Sequence, residues 1–203
     1  MFSSDNAYKE MVDVVKRMAY IAEYHEGNNT SHIERIRGYA QVLARGLDLT
    51  NREVQILSAA CQLHDIGKLG IPEMLLIKTG DFTPTEWEII KRHTITGAEI
   101  LKDSNSPILQ AGQSIALTHH ERWDGSGYPN GLKGEDIPLG GRICAVADVF
   151  DALTSPRIYK KEISVEDARR LILDASGNLL DPKVVASFEE DFEEILKIRK
   201  YHS

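Results

Sequence analysis

Five of the chain's seven histidines, His32, His64, His93, His119 and His120, fall on apolar stretches or at their ends, and Asp65 and Asp148 share that setting. His25 and His202 lie in polar contexts. A lone histidine on an apolar face is ordinarily a core residue bonded to a neighbour. Five of them with two acids, drawn from five separate segments, outrun that explanation, because buried imidazoles and carboxylates are costly unless bonded or coordinated. Shared metal coordination removes the cost. Histidine and aspartate without cysteine suit Fe, Mn or Zn in a reactive site rather than a cysteine-bound structural zinc. Seven ligands are too many for one ion and suit two. Asp65 can bridge both ions, while its neighbour His64 can bind only one. Such a pair clamps a phosphoryl group and generates hydroxide from bound water near neutral pH. No Ser or Cys nucleophile stands out. Lys68 follows Gly67 closely and offers a positive charge to a substrate phosphate or leaving oxygen.

Helices must carry these residues. The apolar run Val54–Leu63 predicts a buried helix from about Arg52 to Asp65, ending at Gly67. An amphipathic helix is expected from about Asn6 to Glu26, followed by the polar break Gly27-Asn28-Asn29-Thr30 and a second helix from Ser31 to Gly46. Thr83-Pro84-Thr85-Glu86 reads as a capping box opening a helix that carries His93 and runs to Leu101. Ser106-Pro107 opens the next, which runs into His119-His120. The irregular segment Trp123–Gly141 is too long for a simple connection and is expected to be an ordered, functional loop. Arg142–Leu153 predicts a buried helix bearing Asp148 and Asp151; further helices start at Ser164 and at Asp181-Pro182. No β-alternation or internal repeat is present. The expected fold is all-α, a multi-helix bundle of eight or nine helices. Residues 1–27 form an N-terminal helix serving as a first core helix, a linker or a dimerisation element. Residues 28–203 form the metal-bearing domain.

Composition narrows the function. The net charge of −7 argues against a duplex nucleic-acid binder, which needs a basic face. No apolar run reaches the ~20 residues of a membrane span, and the N-terminus lacks a signal peptide's pattern, so a cytoplasmic location is expected. Cys61 and Cys144 have no CxxC partner and read as buried free thiols.

His64-Asp65 with Gly67-Lys68 resembles the HD superfamily of metal-dependent phosphohydrolases. His119-His120-Glu121-Arg122-Trp123-Asp124-Gly125-Ser126-Gly127-Tyr128-Pro129, followed by Asp148-Val149-Phe150-Asp151-Ala152-Leu153-Thr154, resembles its HD-GYP branch over roughly Thr30 to Phe188. The resemblance implies a bacterial phosphodiesterase that opens cyclic di-GMP to linear pGpG, and in some members onward to GMP. Cyclic GMP-AMP is the alternative substrate. A non-catalytic module that senses a cyclic dinucleotide or docks on a diguanylate cyclase is the alternative role. Carried over, His32, His64, Asp65, His93, His119, His120 and Asp148 become ligands of two divalent ions, iron or manganese first, with zinc, nickel or magnesium as substitutes. Lys68, Arg122, Gly127, Tyr128, Pro129, Asp151, Arg157 and Lys160 are expected around the substrate. Three-metal members of the family carry a Glu four residues before the position of His32; here that residue is Asn28. Two metals are therefore expected. Family members usually follow an input domain, so the chain is read either as a stand-alone enzyme or as a piece of a longer protein, able to dimerise through its first helix.

Overall fold

The computed structural model describes residues 4–25, 30–155 and 162–202. Asn28, Arg157 and Lys160 lie outside them. Among the described residues there is no strand, only one isolated bridge between Ser176 and Leu180. The all-α expectation holds.

Four helices form the centre. They are α2 (Ser31–Gly46), α3 (Asn51–Cys61), α7 (Pro107–Thr118) and α8 (Leu139–Thr154), and they pack on one another. Their inner faces bury Ile36, Leu43, Ala59, Ala60, Ile115, Ala116, Ile143 and Val146 completely. Preceding them, α1 (Ser4–His25) lays Val15, Ala19 and Ala22 into this same core and packs against the turn Ile66–Gly70. α4 (Glu73–Leu76), α5 (Pro84–Lys91) and α6 (His93–Leu101) follow the turn, with α6 against α7. α9 (Val165–Asp174), α10 (Pro182–Glu190) and α11 (Phe192–Tyr201) close the opposite side over α2 and α8. There Tyr39, Phe150, Phe188 and Phe192 make a chain of edge-to-face rings. Cys61 and Cys144 are buried free thiols in the core.

The starts of these helices follow local chemistry. Thr50 with Glu53, and Thr83 with Glu86, form complete capping boxes, and Pro84, Pro107 and Pro182 open their helices. The ends differ from expectation. The third helix stops at Cys61 instead of reaching Asp65, and the chain passes through a turn into the 3₁₀ segment Ile66–Gly70. The expected helix over 83–101 is broken at Arg92. The last is broken at Asp191. With the short α4, these breaks give eleven α-helical segments among the described residues instead of eight or nine.

Candidate metal centre

The breaks put ligands at helix ends. His64 and Asp65 leave the regular ladder just after α3, His93 opens α6, and His119-His120 follow the last turn of α7. Side chains at such positions can point along a helix end into a common space, which regular i, i+1 neighbours cannot do. Gly67 fixes how closely the turn approaches α6. A Cβ there would lie 1.9 Å from the His93 carbonyl oxygen and 2.4 Å from the Gly97 nitrogen. Its role is this backbone contact.

The structure brings all seven expected ligands together. Asp65, His93, His119 and His120 form one group whose donor atoms lie within 4.8 Å of one another; His32, His64 and Asp148 form a second. Between them, His64 Nε2 lies 3.2 Å from Asp65 Oδ2, and Asp65 Oδ1 lies 3.4 Å from His93 Nε2 and 3.7 Å from His119 Nε2. Asp65 therefore stands between the groups.

Tautomers can be assigned from the acceptors. The Nδ1 of His64 donates to the Cys61 carbonyl at 3.0 Å, that of His93 to Ile90 at 2.7 Å, and that of His119 to Ile115 and Ala116 at 3.1 Å. A carbonyl only accepts, so each of these nitrogens carries a proton, and each ring in its neutral, metal-binding form presents an Nε2 lone pair inward. Two such atoms, on His93 and His119, face each other at 3.4 Å. His64 Nε2 and Asp65 Oδ1 are buried without a well-formed hydrogen bond. Converging lone pairs and orphaned acceptors fit a set of cation ligands whose far nitrogens are held by outer-shell partners.

Electrostatics in the ion-free pocket reflect the crowding. Burial lowers the His64 imidazole, but Asp65 and Asp148 outweigh it and raise it to about 10. Burial pushes His93 down to about 4 and, helped by the facing imidazoles of His119 and His93, pushes His120 down strongly. Burial alone would raise the Asp65 carboxyl, yet Lys68 and His64 hold it well below the usual carboxylate range. Lys68 Nζ sits 2.7 Å from Asp65 Oδ2, at the edge of the cluster.

Asp151 departs from its expected place. It is 2% exposed and faces the centre's outer shell rather than a substrate. It accepts from His32 Nδ1 at 2.7 Å, from Arg35 Nε at 2.5 Å and from Arg35 NH2 at 3.0 Å. It is placed to orient the His32 imidazole, as outer-shell carboxylates orient metal-bound histidines. A helical turn separates it from Asp148, so the two acids of α8 divide the work: one faces the pocket and the other holds His32.

The 123–141 loop is ordered. Glu121, 3% exposed, accepts from the backbone N–H of Asn130 at 2.7 Å and of Leu132 at 3.0 Å. Gly127 lets the loop fold back on its own start, since a Cβ there would lie 2.3 Å from the Arg122 nitrogen. Tyr128, joined to Pro129 by a cis peptide, stacks on His120 with centroids 4.8 Å apart. Burial raises its phenol. Arg122 is exposed. Sequence reasoning passed over Trp87, whose ring meets Tyr128 edge-on, and Lys91, 5.7 Å from the Tyr128 centroid. Both lie on α5, and only their outward helical spacing hinted at them. Glu121 and the buried Glu23 of α1 were also missed.

An all-helical bundle whose helix ends deliver histidines and aspartates to one pocket defines a class of metal-centred phosphohydrolase-like domains. The chain belongs to the HD domain family, which matches residues 14–184. It is 46% identical over 188 residues to a protein of Thermotoga maritima named cyclic di-GMP phosphodiesterase, covering 93% of this chain and 51% of that protein. It is 40% identical over 187 residues to 3'3'-cGAMP-specific phosphodiesterase 2 of Vibrio cholerae, covering 92% of this chain and 36% of that protein. Among solved structures it resembles a cyclic GMP-AMP specific phosphodiesterase of V. cholerae, V-cGAP3, with a TM-score of 0.65 at 23% identity, over 90% of this chain and 50% of that one. The chain thus spans about half or less of the length of the curated relatives it matches. No described helix is long and apolar enough to cross a membrane.

Proposed function

We propose that this domain is a metal-dependent phosphodiesterase that opens cyclic di-GMP to linear pGpG. One observation carries the reading: five imidazoles converge on Asp65 and Asp148, three of them turned Nε2-inward by carbonyl-bound Nδ1 atoms, with orphaned buried atoms beside a shaped aromatic loop. Two divalent ions, iron or manganese first, would be held by His32, His64 and Asp148 on one side and by His93, His119 and His120 on the other, with Asp65 between. Ions so placed supply Lewis acidity and activate water at neutral pH.

The chain's own groups do the rest. Lys68 stands beside Asp65 at the edge of the cluster, where its ammonium can meet a phosphate oxygen. Tyr128 closes one wall against His120, and Lys91 adds a second positive charge behind that ring. Arg122, Gly127 and Pro129 shape the same rim. Arg157 and Lys160 supply further cations to the dinucleotide.

The 40% identity to a 3'3'-cGAMP-specific enzyme favours a second reading, in which the same centre prefers cyclic GMP-AMP. Equimolar cyclic di-GMP and 3'3'-cyclic GMP-AMP, offered together to anaerobically Mn²⁺-loaded protein, decide between them. Faster loss of cyclic di-GMP with pGpG as product is expected. Faster loss of cyclic GMP-AMP reverses the substrate assignment, and loss of neither refutes the activity.

A further inference from the structure

Glu23 belongs to α1, which the sequence reads as a first core helix, a linker or a dimerisation element. Its side chain is only 3% exposed, and its Oε2 is fully buried with no hydrogen-bond partner. A buried carboxyl oxygen left without a hydrogen-bond partner is costly in a protein core. Its surroundings answer the problem. A Glu23 carboxylate oxygen, a His32 ring nitrogen and an Asp65 carboxylate oxygen lie within 4.8 Å of one another. Two of these three residues already belong to the centre described above. The Arg35 guanidinium contributes favourable charge nearby, but it is committed to Asp151, Ser155 and the His202 carbonyl.

We propose that Glu23 is a metal ligand, sharing an ion position with His32 and Asp65, and that bound metal thereby fastens α1 to the domain. The inference rests on the metal-centre reading above. It assigns to α1 a carboxylate ligand nine residues before His32, where the position one turn before that histidine holds the neutral Asn28. Val15, Ala19 and Ala22 dock α1 through small apolar contacts beside the turn Ile66–Gly70. A ligand bond one residue past Ala22 makes this docking and metal occupancy reciprocal: whatever displaces α1 weakens the ion, and the ion resists displacement. A force or partner acting on α1 would then be felt at the centre without entering the substrate pocket.

Amide hydrogen exchange over residues 12–25, measured with and without Mn²⁺ under anaerobic conditions, tests this directly alongside Mn²⁺ affinity by chelator competition. In the wild-type chain, Mn²⁺ should slow exchange in the second half of α1 at least tenfold. Glu23→Gln keeps the shape and removes the strong ligand. It should abolish that metal-dependent slowing and weaken at least one Mn²⁺ equivalent tenfold or more. Glu23→Asp should fall between. Metal-free Glu23→Gln should melt no lower than wild type, since it keeps the side chain's shape and replaces a carboxyl group whose Oε2 has no hydrogen-bond partner; this guards against misfolding as the cause. Unchanged Mn²⁺ affinity and unchanged α1 protection in a folded Glu23→Gln protein would overturn the proposal. Failure of the wild-type chain to bind Mn²⁺ at all would instead overturn the metal-centre reading.

Discussion

Asp151→Asn separates the ligands of the centre from the groups that aim them. Asp151 holds His32 Nδ1 at 2.7 Å and accepts from both donors, Nε and NH2, on one edge of the Arg35 guanidinium. Burial alone would raise its carboxyl, but the His32 and Arg35 hydrogen bonds hold it well below the usual range, so it acts as a full anion. The amide keeps the shape and loses the charge. It must also turn an NH₂ toward one of two donors, leaving that donor unmatched. Losing an outer-shell partner of a metal-bound histidine typically weakens the ion about 10–100-fold, roughly 1.4–2.7 kcal/mol. Breaking the buried pair with Arg35 costs about 3–5 kcal/mol of fold stability, or roughly 6–20 °C of melting temperature in a domain of this size. The assay is Mn²⁺ titration against a fluorescent chelator, with melting followed by circular dichroism. One class of Mn²⁺ should weaken, the one held by His32, while the class held by His93, His119 and His120 keeps its affinity. A lowered melting temperature with both classes unchanged would refute the orienting role and leave Asp151 as a structural partner of Arg35 alone.

Glu121→Gln leaves one of the Asn130 and Leu132 amides facing a donor. It should cost about 1–3 kcal/mol and raise KM for the dinucleotide more than it lowers kcat, with metal content unchanged; equal effects on both would show that the loop does not position substrate. Gly67→Ala forces a Cβ into the His93 backbone and should cost more than about 4 kcal/mol, seen as loss of soluble protein or of bound Mn²⁺; a normal melt would contradict the packing described. In metal-free protein, His93 falls from 6.5 to about 4, so the unfolded chain takes up that proton first. Its contribution is complete above about pH 6.5 and is lost as pH falls toward 4, by about 3 kcal/mol. His64, raised to about 10, has the opposite sign: its contribution is complete below pH 6.5 and is lost as pH climbs toward 10. Melting temperature of the chelated protein should therefore peak near neutral pH, and Mn²⁺ should flatten the alkaline limb; a flat profile without metal would contradict both assignments.

The ligands were legible because polarity on an apolar background is costly, and the cost shows in a single sequence. His32, His64, His93, His119, His120, Asp65 and Asp148 all lie on apolar stretches or at their ends, and the structure gathers all of them. Their local geometry was less legible. Apolar periodicity carries through Leu63 and past Arg92, so nothing in the pattern marks where the α-helical ladder stops and frees His64, Asp65 and His93 to turn inward. Outer-shell partners were hidden for a different reason. Asp151 lies 119 residues from the histidine it holds, and a helical turn from Asp148 is equally consistent with a second pocket residue. Glu23 sits among the ordinary charges of an amphipathic helix, and only burial distinguishes it from Glu10. Glu121 carried a faint signal, since an acid directly after two histidines opens a loop whose amides need acceptors.

Hydrolysis of a cyclic dinucleotide by the His and Asp cluster requires metal chemistry that depends on Asp65. The most direct measurement is mass analysis of products from cyclic di-GMP and anaerobically Mn²⁺- or Fe²⁺-loaded protein in heavy-oxygen water, beside an Asp65→Ala control of verified fold. The expected product is pGpG bearing one heavy oxygen on its new terminal phosphate, formed by the wild-type chain and absent from Asp65→Ala. No turnover by metal-loaded wild-type protein, or equal turnover by Asp65→Ala, would contradict it.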